Sequence, residues 1–235
     1  MLIIGHRGAA GLARENSLEA LRAGLEAGAD ILEFDVRLTK DKIPVVVHDF
    51  HTLRTHRDPS IISRLTLEEL VKRTEKLPIT PLFKVLDEFF GVILLNIELK
   101  GRGTGKVVAE LLAKSYAKSA KRWDNVLISS FRGSELQAVR NISKDASLAL
   151  LHSENPFLFI AYHRRLRLTA VGFHRLYINA FALEIAKRAK LFVYAYTVNR
   201  PRTALMLAQQ GIDGVVTDRP GDILKEVERN TDKPK

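Results

Sequence analysis

The chain has 235 residues, 46% of them hydrophobic, which is enough for one sizeable core and fits a single α/β domain. It contains no cysteine, so disulfide frameworks and thiolate metal sites are excluded. The formal net charge is +10, and basic residues cluster at 114–122, 163–167 and 187–190. Such runs read first as solvated helix faces and second as attractors of anionic substrates or lipid headgroups, which admits weak membrane-surface association. Nucleic-acid binding is not expected, because aromatics do not interleave with the basic runs as a stacking platform requires.

The N-terminal MLIIGHRGAAG has no basic region followed by a long apolar run, and no apolar stretch approaches the roughly 18 residues that span a bilayer. The expectation is a cytoplasmic protein. A short apolar strand over 2–5 runs into His6, Arg7 and Gly8. Asn16 or Ser17 then caps a helix whose apolar face is Leu18, Leu21 and Leu25, and Gly28 closes it. The strand expected over 31–38 has two opposite faces: Leu32, Phe34, Val36 and Leu38 on one, Glu33, Asp35 and Arg37 on the other. A β-branched run over 43–47 ends at His48 and Asp49.

Residues 50–80 form the least regular part, with one short helix over 67–73, and a second helix spans 81–90 with Pro81 in its first turn. Alternation is regular thereafter. Strands are expected at 92–99, 125–130, 147–151, 169–173, 191–198 and 214–217. Helices are expected at 104–121, 133–142, 156–166, 180–189, 201–210 and from Pro220, and the residues after Arg229 are expected to fray. Strands starting at 2, 31, 92, 125, 147, 169, 191 and 214 make eight β-α units, which argues for a (β/α)8 TIM barrel as a single domain over 1–235.

In such a barrel the chemistry collects at the C-terminal ends of the strands. His6, Glu33, Asp35, Glu98, Lys100, Phe131, His174 and Tyr196 fall there, and His48 ends the extra strand. Two carboxylates on one strand face repel unless a cation lies between them. Three carboxylates without a thiolate suit a hard divalent ion, Mg²⁺ or Ca²⁺. Asn16 reads either as a helix cap or as a substrate contact. His51, His56 and His163 are expected on the surface, and His152 and His174 as structural or pocket-lining residues. Asp218 is expected to cap the last helix, and Gly5, Gly8 and Gly214 to serve backbone turns.

The stretches GHRG (5–8), ENSLEA (15–20), LEFDVRLTKD (32–41), VVVHD (45–49), IELK (97–100), SSF (129–131), TVN (197–199) and GVVTDRP (214–220) together resemble the glycerophosphodiester phosphodiesterase family, in the same order over nearly the whole chain. The resemblance implies that Glu33, Asp35 and Glu98 hold the metal, that His6 and His48 are the acid/base pair, and that Arg7 and Lys100 steady a phosphate. It further implies a small-molecule phosphodiester substrate, with Asn16, Phe131 and Tyr196 lining its pocket, cleaved to sn-glycerol 3-phosphate and an alcohol. Tyr196 stands where the family usually has tryptophan, and the segment between His48 and the third barrel strand is short. A phosphodiesterase acting on lysophospholipids and a non-catalytic barrel that binds phosphorylated ligands are the rival readings.

Overall fold

The computed structural model describes residues 1–152 and 154–231. Its strands in chain order are β1 (Leu2–Gly5), β2 (Ile31–Leu38), β3 (Pro44–Val46), β4 (Thr80–Pro81), β5 (Leu94–Leu99), β6 (Val126–Ser130), β7 (Ser147–His152), β8 (Ala170–His174), β9 (Phe192–Tyr196) and β10 (Gly214–Thr217). Eight of them, all but β3 and β4, pair in parallel in the order β1-β10-β9-β8-β7-β6-β5-β2, and pairing of β1 with β2 closes the ring. This is the eight-stranded parallel barrel expected from the alternating strand and helix signals. Strand β2 outlasts its barrel neighbours, and its end pairs antiparallel with β3, which pairs in turn with β4.

The period-two alternation of β2 sorts its side chains as expected. Leu32, Phe34 and Val36 are buried between the barrel and its helices, in the main core. The opposite face points into the barrel. Below the polar level, the interior is filled by Ile4, Ile31, Leu127, Ala149, Leu151, Tyr194 and Val216. Gly172 on β8 leaves room there for the Tyr194 ring, since a Cβ would lie 2.5 Å from Leu151 and 2.9 Å from Tyr194.

The covering helices are α1 (Leu18–Glu26), α2 (Leu53–His56), α3 (Leu67–Arg73), α4 (Leu82–Phe89), α5 (Thr104–Leu111), α6 (Ala120–Trp123), α7 (Gly133–Ile142), α8 (Leu158–Leu166), α9 (Ala180–Arg188), α10 (Pro201–Gln209) and α11 (Pro220–Thr231). Ser17, not Asn16, caps α1: its hydroxyl accepts from the Ala20 N–H at 3.2 Å. Pro81 stands one residue before α4. The helix expected over 104–121 is broken. After Leu111 the chain takes a wider turn, Leu112–Tyr116, and Ala117 leaves the helix with its N–H on the Leu112 carbonyl at 2.6 Å. In a regular helix Ala117 would lie about 140° around from Leu112. The wide turn lets both residues be buried in one core.

The segment 50–80 holds more order than its sequence suggests: α2, a 3₁₀ turn at Ile62–Arg64, and β4. They cover a small core of Val45, Val47, Ile62, Leu70 and Ile79. Helix α11 runs past the expected fraying point at Arg229, and residues 232–235 lie outside the described residues. Among the described residues no helix is long and apolar enough to cross a membrane.

Two histidines bear on acid stability. His152 is only 3% exposed, packed against Phe159 and Phe173 with neither ring nitrogen hydrogen-bonded, and burial holds its pKa at about 4. His56 is buried too, contrary to the surface position expected for it, because α2 folds it against Arg14. Burial, then the Arg14 charge, lower its pKa to about 4. The unfolded chain protonates near pH 6.5, before the folded one does, so stability falls as pH drops from 6.5 to 4 and is fully present above that window. His152 alone should remove about 3 kcal/mol across it. Denaturant midpoints should fall over that range, and His152→Leu should flatten the slope. An equal slope in the variant would assign the loss elsewhere.

Candidate active site

The site is built on parallel register. Asp35 of β2 is the direct partner of Glu98 of β5, and Glu33 of β2 partners Asn96. Residues at one level of a closed barrel point to the same side, so two residues of one strand and one of its neighbour bring three carboxylates together. Glu33, Asp35 and Glu98 each offer an oxygen within 4.8 Å of the others, and all are shielded from solvent. Glu33 and Glu98 border a cleft whose wall includes His6, Asn96, Ser129 and Tyr196.

Three buried carboxylates cannot all be charged without help. Burial, then repulsion by Asp35 and Glu98, pushes the Glu33 pKa well above the usual carboxylate range. Burial and Asp35 raise Glu98 as well. Burial also opposes ionisation of Asp35, but Lys100 and Arg7 outweigh it, and its pKa falls. Lys100 Nζ sits 3.2 Å from Asp35 Oδ1 and 2.5 Å from Glu98 Oε1. Glu33 Oε2 accepts from the Arg7 backbone N–H at 2.8 Å, while its Oε1 is buried with no hydrogen-bond partner. An orphaned oxygen beside two more carboxylates is the donor set a hard divalent cation takes. The residues fit the ion.

Local backbone sets the flanking groups. Arg7 at φ 51° and Gly8 at φ 87° turn the chain sharply after β1. A Cβ on Gly8 would come within 2.4 Å of the Ala20 backbone, so the turn needs glycine. Arg7 then reaches Asp35 at 3.4 Å and Glu15 at 2.7 Å. Asn16, also at positive φ, donates its amide to Asp35 Oδ2 at 2.9 Å and accepts the Asp35 N–H at 3.1 Å. Both functional atoms of the Asn16 side chain are therefore committed to Asp35.

Each of the two histidines expected at the site is anchored through Nδ1 by a carboxylate. His6 Nδ1 lies 2.6 Å from Asp218, which is held in turn by the Asn199 amide. This replaces the helix-capping role expected of Asp218, whose side chain is turned to His6. His48 Nδ1 lies 2.7 Å from Asp49. Asp49 accepts from Arg54 at 2.8 Å, and Arg54 grips Glu15 with two bonds of 2.7 Å, linking back to Arg7. Arg37 ties down the backbone on both sides of the mouth, donating to the His48 carbonyl at 2.7 Å and the Lys100 carbonyl at 3.1 Å.

Phe131 and Tyr196 meet edge to face at 5.9 Å, and Lys100 lies 5.4 Å from the Phe131 ring centre. The ten residues singled out in the sequence thus surround one mouth. Sequence reasoning missed Glu15, Arg54 and Asn199 and misassigned Asp218. Only the carboxylate directly after His48 was visible as a partner signal.

The model of the glycerophosphoryl diester phosphodiesterase family matches residues 6–222. A glycerophosphodiester phosphodiesterase of Caldanaerobacter subterraneus subsp. tengcongensis is 30% identical, covering 97% of this chain and 98% of the relative. Among solved structures, the Oleispira antarctica phosphodiesterase OLEI02445, in complex with the product sn-glycerol-3-phosphate, superposes with a TM-score of 0.85 at 26% identity, covering 97% of each chain. The glycerophosphodiester phosphodiesterase of Thermotoga maritima gives a TM-score of 0.79 at 29% identity, covering 96% of this chain and 97% of that one. On a match that spans nearly every residue of the barrel and its mouth, this chain belongs to the glycerophosphoryl diester phosphodiesterase family.

Proposed function

We propose that the chain hydrolyses glycerophosphodiesters to sn-glycerol 3-phosphate and an alcohol. The observation that carries this reading is the pair of carboxylate-anchored histidines beside three buried carboxylates and two cations. A protein that only binds phosphate needs the cations but not two imidazoles held by Asp218 and Asp49. The product bound in the Oleispira relative supports the substrate class.

Glu33, Asp35 and Glu98 would hold one divalent cation, Mg²⁺ or Ca²⁺. When bound, it would supply charge neutralisation for the phosphodiester, whose anionic oxygens otherwise resist attack. Arg7 and Lys100 add fixed positive charge at the phosphate. Asn16 holds Asp35 in place, and Phe131 and Tyr196 form a wall of the pocket. With Nδ1 engaged, each histidine presents Nε2 to the substrate. One takes a proton from the attacking water, or from a substrate hydroxyl whose cyclic phosphate water then opens, and the other delivers a proton to the departing alkoxide.

Release of sn-glycerol 3-phosphate from glycerophosphocholine and glycerophosphoethanolamine tests this, with Mg²⁺, with Ca²⁺ and with chelator. Release should appear with at least one metal and fall to background with chelator, returning when the ion is restored. A folded protein that releases nothing with either metal overturns the reading.

A further inference from the structure

One guanidinium joins the loops after β1 and β3. Arg54, on the short α2, engages all three of its nitrogens. Its Nε donates to Asp49 Oδ2 at 2.8 Å, and its two terminal nitrogens donate to the two oxygens of Glu15 at 2.7 Å each. Asp49 turns its other oxygen to His48 Nδ1 at 2.7 Å. Glu15, on the loop after β1, also accepts from Arg7 at 2.7 Å, and Arg7 reaches Asp35 at 3.4 Å. A continuous path of paired groups therefore runs from the His48 ring through Asp49, Arg54, Glu15 and Arg7 to the carboxylate cluster.

An exposed ion pair contributes little to stability, and the Arg54 side chain is 48% exposed. Its geometry points to a different role. A planar fork that fills both oxygens of one carboxylate and one oxygen of another fixes the two acids relative to each other. A point charge on a flexible stem cannot do so. The charges are arranged to match. Burial opposes ionisation of Glu15, but Arg54 and Arg7 outweigh it, and its pKa falls. Burial likewise opposes ionisation of Asp49, and Arg54 and His48 outweigh it. Without Arg54, Glu15 would pull on Arg7 against Asp35, and Asp49 would lose the group that fixes its side chain against the His48 ring.

Resting on the phosphodiesterase reading above, we propose that Arg54 is a positioning residue for the reaction, acting through Asp49 on His48 and through Glu15 on Arg7, so that an acid/base group and a phosphate-binding cation are placed as one unit.

The test compares wild type with Arg54→Met, which removes the charge, and with Arg54→Lys, which keeps the charge and loses the fork. On glycerophosphocholine, kcat/KM should fall about tenfold to a hundredfold in Arg54→Met, the range seen when an orienting partner is removed, and less in Arg54→Lys. Two readouts separate positioning from support of the loop alone. The first is the titration of the His48 ring followed by NMR, with His48→Ala supplying the assignment. Asp35 and Asp49 favour the protonated ring, while Lys100 and Arg7 oppose it. Arg54 is a further cation behind Asp49, so its removal should move the His48 titration and the acid limb of kcat/KM to higher pH. Arg54→Lys should leave both near their wild-type positions. The second is a double-mutant cycle: Arg54→Met combined with Glu15→Gln should lower kcat/KM by far less than the product of the two single losses.

An unmoved His48 titration in Arg54→Met, or losses that multiply as independent effects, overturns the proposal. Should Arg54→Met fail to fold, Arg54→Gln carries the same comparison. If wild type itself does not cleave glycerophosphocholine, the phosphodiesterase reading fails separately. The His48 titration then decides the tie without turnover: movement to higher pH in Arg54→Met supports it, and no movement overturns it.

Discussion

Glu33→Gln is expected to fold, to lose metal binding, and to release sn-glycerol 3-phosphate at least about a thousandfold more slowly than wild type. The rate follows from the several kcal/mol that a bound cation contributes to a phosphoryl transition state, at 1.36 kcal/mol per tenfold. The folding follows from the metal-free electrostatics. Burial and repulsion from Asp35 and Glu98 already disfavour charge on Glu33, so the neutral amide relieves strain rather than creating it. The amide oxygen can still accept from the Arg7 N–H, as the carboxylate does at 2.8 Å. Without metal the variant should therefore denature at or above the wild-type midpoint. With metal at a hundred times its dissociation constant, wild type should gain about 2.7 kcal/mol and the variant almost none. A variant that binds metal and turns over as wild type does would remove Glu33 from the metal set. One that fails to fold would leave Asp35→Asn and Glu98→Gln to carry the same comparison.

What the sequence made legible was whatever periodicity encodes. The alternation over 31–38 put Glu33 and Asp35 on one face, and parallel register then brought Glu98 beside Asp35. Eight strand signals in order were enough for the barrel, because strand ends in that fold converge whatever the loops do. Partnerships between distant loops were not legible. Asp218 reaches His6 across 212 positions, and Arg54 reaches Glu15 across 39. Nothing in local pattern distinguishes these from surface charges. The same limit hid the break after Leu111, which serves the burial of Ala117 against residues far along the chain. The burial of His56 depends on Arg14 and the fold of residues 50–80, which no local pattern encodes. In each case tertiary packing, rather than propensity, decides.

The second large effect is expected at His48. His48→Ala should lower kcat by about a hundredfold to ten-thousandfold, the range that a positioned acid or base contributes. Its surroundings also dictate a pH signature. Burial lowers the His48 pKa below its usual 6.5, against the upward pull of Asp35 and of its bonded partner Asp49. The ring is therefore neutral at pH 7 and able to accept a proton, and activity should fall on the acid side as it becomes protonated. Asp49→Asn removes one of the two carboxylates that favour the protonated ring. It should move the acid limb of kcat/KM to lower pH, with a loss of about tenfold to a thousandfold from weakened orientation. A carboxylate that mattered only for loop stability would lower the rate without moving the limb. An unmoved limb in Asp49→Asn, or full activity in His48→Ala, would take His48 out of proton transfer and leave His6, anchored by Asp218, as the remaining imidazole able to serve.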